Sequence, residues 1–249
     1  MNKTIDINCD LGEGGRFDAD IMPLISSCNI ACGGHYGDIK TVTQAVKLAK
    51  KNKVNIGAHP SYPDLDNFGR LTLEIPVEDL KQHLHKQIDL VEKACYKNDV
   101  QLHHIKPHGA LYNDMRKSEV IANLILEVVK ERKKDLILFS SPRVEFNSEI
   151  FNSIQLWMEG FADRAYQNDL SLVSRTEKGA VLNDPDLISD RVLAMIQKQE
   201  VWSLSGEIVK HKFDTICVHS DTPNAFKILK VLRLRLVESG IKIGSKNEG

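Results

Sequence analysis

Seven short β-type runs recur in order along the chain: TIDINCD, SSCNIAC, VNIGAHP, LHHIKPH, LILFSSP, IQLWMEG and TICVHSD. Amphipathic stretches separate them, among them DIKTVTQAVKLAKKN, PVEDLKQHLHKQIDLVEKACYKND and SEVIANLILEVVKERKK. Val42, Ala45, Val46 and Ala49 recur at helical spacing in the first, and Leu80, Leu84, Ile88 and Val91 in the second. Parallel strands need long crossover connections, and these helices supply them, so the alternation argues for a parallel α/β sheet. Seven strands suit either a barrel or a doubly wound sheet. With 249 residues and no Pro/Gly-rich linker, low-complexity tract or fixed-period repeat, one domain over 1–249 is expected. LSLVSRTEKGAVLND breaks the rhythm and reads as a hairpin or excursion over one rim, ahead of the helix DPDLISDRVLAMIQKQ. The tail GSKNEG, 244–249, is expected to fray.

Successive residues of a strand face opposite sides of the sheet. Ile5, Ile7 and Cys9 therefore share one face of the first strand, and Asp6, Asn8 and Asp10 the other. In the third, Val54, Ile56 and Ala58 oppose Asn55, Gly57 and His59; in the fourth, Leu102, His104, Lys106 and His108 alternate with His103, Ile105 and Pro107. In the last, Ile216 and Val218 oppose Thr215, Cys217, His219 and Asp221. Strands of an ordinary buried parallel sheet are apolar on both faces. A polar inner face must be hydrated or hydrogen-bonded, because each unpaired buried group costs on the order of 1–3 kcal/mol. Such a face implies a ligand cavity.

Titratable residues also gather where strands end: Asp10 with Glu13, His35 with Asp38, His59, Lys106 with His108, Glu159 with Asp163 and Arg164, and His219 with Asp221. In parallel barrels the loops after the strands carry the active site. Asp38 serves equally well as a helix cap. Asp10, His35 and His59 form one candidate metal set, a carboxylate and two imidazoles that leave positions open for water, with His108 an alternate ligand. No G-x-S-x-G elbow, phosphate-loop spacing or H-E-x-x-H signature occurs. His103 is expected toward the helix layer, His104 in a polar network with Lys106, and His108 at the mouth beside Tyr112. His83 and His85 read as solvated, and Trp157 and Trp202 as core.

A net charge of −1 offers no footprint for nucleic acid or an anionic membrane, and no stretch is apolar enough to span a bilayer. The N-terminus lacks an apolar signal core, and the five cysteines have no framework-like spacing; reduced thiols in a cytoplasmic protein are expected.

The segments DINCDLGEG, NIACGGHYGD, IGAHPSYPD with NFGR, IKPHGALYN, EGFADRAY with LVSR and GAV, and VHSDTPNA span nearly the whole chain in order. Together they resemble the LamB/YcsF family of 5-oxoprolinase subunits. The resemblance implies a seven-stranded (β/α) barrel of the glycoside hydrolase/deacetylase type. It implies opening of 5-oxo-L-proline to L-glutamate coupled to ATP hydrolysis, with ATP as co-substrate and two partner subunits. Gly34, Tyr36, Ser61 and Asn67 depart from the expected pattern and alter surroundings rather than titratable residues. For that reaction Asp10, Glu13, His59, Lys106 and His108 are the catalytic candidates, with Asp10 or His59 as base and His108 as proton shuttle. Asn8, Asn29, Arg70, Tyr112, Arg164, His219 and Asp221 are the substrate-binding candidates, Lys106, Arg70 and Arg164 taking the anionic groups. The alternatives are a metal-dependent deacetylase or amidohydrolase acting alone, and a non-catalytic subunit that binds a small acid or a carbohydrate.

Overall fold

The computed structural model describes residues 3–132, 135–144 and 154–244. Strands β1 (Thr4–Leu11), β2 (Ser27–Ala31), β3 (Asn55–His59), β4 (Leu102–Ile105), β5 (Ile137–Ser140), β6 (Gln155–Phe161) and β9 (Thr215–Cys217) coincide with the seven runs. They pair in the order β1-β2-β3-β4-β5-β6-β9, and β9 pairs again with β1, so the parallel sheet closes on itself. A two-residue strand β10 (Lys242–Ile243) adds to the start of β1. The chain is a seven-stranded (β/α) barrel.

It divides into two compact units. The first comprises Asp10–Gly15 and Cys28–Trp157. It holds helices α2 (Ile39–Asn52), α3 (Val77–Lys97), α4 (Gly109–Lys117) and α5 (Glu119–Lys130). Helix α2 starts on a capping box: Asp38 accepts from the N–H groups of Lys40 and Thr41, and Thr41 Oγ1 accepts from the Asp38 N–H. Asp38 is thus a helix cap at the surface. The stripe Val42, Ala45, Val46 and Ala49 is buried, as are Leu80, Leu84, Ile88 and Val91 of α3. Helix α4 begins against the backbone at Gly69: Ala110 donates its N–H to Gly69 O, and a Cβ at Gly109 would stand 2.5 Å from that oxygen. With φ at +54°, Gly109 is the residue this approach requires.

The second unit comprises Met1–Cys9, Arg16–Ser27 and Met158–Gly249. It contains the short helix α1 (Asp18–Ile21) and helices α6 (Pro185–Gln197) and α7 (Ala225–Glu238), the last two packed on each other. Asp184 caps α6 by accepting from Asp186 and Leu187 N–H, and Pro185 occupies its first turn. The excursion before α6 is a folded-back ladder. Ala165 N–H donates to Ala180 O, Leu182 N–H to Asp163 O and Val173 N–H to Ala165 O.

Two expectations are corrected. Trp202 lies on a hairpin that the sequence pattern does not announce, β7 (Glu200–Trp202) with β8 (Ile208–Lys210), and is 55% exposed. A two-stranded ribbon has little core to offer. His85 is not simply solvated: it contacts Glu131 at 3.0 Å and takes a hydrogen bond from Arg132. Of the tail expected to fray, Gly244 donates its N–H to Ile5 O, and 245–249 lie outside the described residues.

Candidate active site

In the first unit the C-terminal ends of four strands bring Asp10, Glu13, His35, His59, Lys106 and His108 together. Asp10 Oδ1 accepts from Lys106 Nζ at 2.8 Å and from Asn29 Nδ2 at 2.7 Å, and its Oδ2 faces His59 Nε2 at 3.5 Å. Lys106 is only 2% exposed. A buried ammonium of this kind is tolerated because the carboxylate pairs with it. The pleat accounts for the placement, since Asp10 and Lys106 both fall on the polar phase of their strands.

His59 and His108 form a pair whose protons can be assigned. His59 Nδ1 lies 2.7 Å from Lys106 O, and His108 Nε2 lies 3.0 Å from Phe68 O. A carbonyl only accepts, so both of these nitrogens carry hydrogen. The remaining nitrogens, His59 Nε2 and His108 Nδ1, face each other at 3.0 Å. Two neutral rings would oppose lone pairs there. One shared proton, or a bound cation, resolves the conflict. Glu13 Oε1 sits beside the pair, 3.9 Å from His59 Nε2 and 3.4 Å from His108 Nδ1, and takes a 3.0 Å bond from His35 Nε2. His35 stacks on His108 with ring centres 3.7 Å apart.

The carboxylate that meets His35 is therefore Glu13, while Asp10 is taken up by Lys106. Among the described residues, one tight set of metal-ligating atoms in this unit comes from Glu13, His35 and His108, all within 4.8 Å of one another. One carboxylate with two imidazoles suits a divalent transition ion. The acceptor-only faces of His59 and His108 are compatible with it.

Phe68 was not singled out by sequence. Its ring stands edge-on to His35 and His108, and its carbonyl fixes the His108 tautomer. The backbone turns left-handed at Phe68 and Gly69, and the FG pair is the one sequence signal for that turn. Arg70 next to it is exposed, its guanidinium 5.1 Å from the Phe68 ring centre. Tyr112 is buried in α4.

The polar candidates of the second unit are hydrogen-bonded as well. Asn8 Nδ2 donates to Glu159 Oε1 and to Thr215 Oγ1, which donates to Asp6 Oδ2. Burial pushes the Asp6 carboxyl up to about 6. Asp163 binds His219 Nδ1 at 3.0 Å; burial raises its carboxyl, but the His219 charge and bonds from His219 and Thr222 outweigh that and hold it below the usual range. Arg164 is buried and turned to the backbone, bonding Val173 O and Ala180 O, and Asp221 pairs with Arg175 at the surface.

Burial holds the imidazolium forms of His35, His103 and His104 below their ordinary value of 6.5, His103 at about 4. The unfolded chain binds protons at these positions once the pH falls below 6.5, while the folded chain does not. Stability contributed by each is complete above 6.5 and is lost at up to about 1.4 kcal/mol per pH unit as the pH falls toward the folded value. Asp6, raised to about 6, gains its proton in the folded state and offsets one of them between 6 and 3.8. Urea midpoints are expected to decline steadily from pH 6.5 to 4.5. A flat profile over that range would show that the three rings are not held neutral.

A closed parallel sheet with an acid–base cluster at the strand ends defines a protein of the glycoside hydrolase/deacetylase type of (β/α) barrel. A family 4 carbohydrate esterase from Streptomyces lividans shares this fold, with a TM-score of 0.52 over 98% of this chain and 92% of that one at 10% identity. The LamB/YcsF family model matches residues 5–248, and the chain belongs to that family. The A-type subunit of 5-oxoprolinase from Pyrococcus furiosus is 41% identical over 96% of both chains. The crystal structure of the lactam utilization protein from Thermus thermophilus superposes with a TM-score of 0.90 at 33% identity, covering 97% of this chain and 99% of that one.

Proposed function

We propose that this chain is the lactam-opening subunit of an ATP-dependent 5-oxoprolinase, converting 5-oxo-L-proline to L-glutamate with two partner subunits. The observation that carries the reading is the proton-handling array Asp10–His59–His108 beside a buried ammonium, in a chain that shares 41% identity with a 5-oxoprolinase component over nearly its full length.

An amide carbon is a poor electrophile because resonance delocalises the nitrogen lone pair. Phosphoryl transfer from ATP to the lactam oxygen, carried out with the partner subunits, removes that protection. Water then adds to the carbon as Asp10 or His59 takes its proton. The C–N bond breaks, the nitrogen receives a proton from His108, and a second water hydrolyses the resulting acyl phosphate to the carboxylate and inorganic phosphate. Lys106 stabilises the negative charge that develops near Asp10. The need for ATP and the reduced state of the five buried cysteines agree with a cytoplasmic setting.

The test is 5-oxoproline-dependent formation of ADP and glutamate by the chain alone and with its partner subunits. Turnover in the complex supports the reading, and its absence from both arms rejects it. The Glu13–His35–His108 cluster favours a second reading, a metal-dependent amidohydrolase acting alone. Stoichiometric zinc or manganese, with amide hydrolysis that is lost to chelator and independent of ATP, would establish that one.

A further inference from the structure

We infer that His104, acting through Asn29, is a positioning residue for Asp10. The inference rests on the reading of Asp10 as a proton-handling group, and its geometry lies wholly in the first unit. His104 is fully buried, and its Nε2 lies 2.7 Å from Asn29 Oδ1, while Asn29 Nδ2 donates to Asp10 Oδ1 at 2.7 Å. A carboxylate only accepts, so the amide hydrogens of Asn29 point at Asp10 and its oxygen must face His104. His104 Nε2 therefore carries the hydrogen. Its Nδ1 is then an acceptor, and His103 Nδ1, 3.0 Å away, donates to it.

Every hydrogen bond of the chain His103–His104–Asn29–Asp10 points the same way, ending on the carboxylate. Bonds in series polarise one another in a buried setting. Together with Lys106, this series occupies Asp10 Oδ1 and leaves Oδ2 turned to His59. Two further features hold the ring in place. His104 stacks on Phe139 at 4.1 Å, and Gly57 gives it room: a Cβ there would stand 2.1 Å from Nε2. An unanchored asparagine amide could flip and turn its oxygen onto Asp10. His104 prevents this.

The test uses the full chain in two measurements. Nitrogen-15 spectra of histidine-labelled protein are expected to show His104 as the neutral ring with hydrogen on Nε2 from pH 5.5 to 8.5. Hydrogen on Nδ1, or a titrating imidazolium, would overturn the inference whether or not the chain proves to be a 5-oxoprolinase. In the complex, His104→Leu is expected to lower kcat for 5-oxoproline at least tenfold with little change in KM, the loss of a hydrogen bond that organises a charged group. His104→Gln keeps an N–H for Asn29 and is expected to recover most of the rate. Equal losses in the two variants would also overturn it, since a purely space-filling role is not rescued by an amide. Should His104→Leu fail to fold, the spectra of the unsubstituted chain still decide.

Discussion

Lys106→Met is expected to destabilise the chain by about 3–5 kcal/mol and to abolish 5-oxoproline turnover in the complex. Met matches the stem of lysine and fills much the same volume, so packing contributes little to the loss. What changes is charge. Lys106 Nζ bonds Asp10 Oδ1 at 2.8 Å, and both groups are buried. Removing it takes away that counter-charge, and a buried carboxylate so deprived either takes up a proton or strains the fold. The first outcome removes the candidate base; the second lowers stability. Urea unfolding at pH 8 and at pH 5.5 separates them. The penalty of Lys106→Met should shrink at the lower pH, where protonation of the carboxyl relieves it. A penalty independent of pH would show that lysine acts there through packing. The reciprocal Asp10→Asn strands the ammonium, so its penalty should shrink instead toward alkaline pH.

The two-residue pleat makes this pair legible in the sequence. Asp10 and Lys106 fall on polar phases of separate strands, and closure of the sheet turns both phases inward. His104 falls on the same phase as Lys106 for the same reason, and from there its ring reaches Asn29. Helices α2 and α3 are legible because their apolar residues keep one stripe. What stays hidden depends on groups without a side-chain signature. The partner that fixes His108 is the carbonyl of Phe68, and the FG pair that marks the turn does not say which carbonyl it will aim at His108. Glu13 rather than Asp10 meets His35 because the chain turns through glycines after β1, at Gly12 and Gly14, and the reach of that turn is not set by periodicity. The β7–β8 hairpin escapes because its strands are three residues each, shorter than any alternation can reveal.

Replacing His59 or His108 by asparagine is expected to lower turnover by about 10²–10⁴-fold, and replacing both to cost little more than replacing one. The expectation follows from the tautomers. With His59 Nδ1 committed to Lys106 O and His108 Nε2 to Phe68 O, the nitrogens 3.0 Å apart can hold a single proton between them. Burial, followed by the charges of His59 and His35, holds His108 well below the ordinary imidazole range, and Asp10 Oδ2 and Glu13 Oε1 both face His59 Nε2. Transfer across the pair then delivers the proton taken from water to the departing lactam nitrogen. Each ring is useless for that transfer without the other, which is why the losses should not add. Turnover of the complex at saturating 5-oxoproline, measured for both single variants and the double, forms a closed cycle. Multiplicative losses would show two independent groups and rule out the shared proton. If the pair holds a cation instead, the unsubstituted chain will carry a stoichiometric metal that His108→Asn releases, so metal content measured on the same samples separates the two.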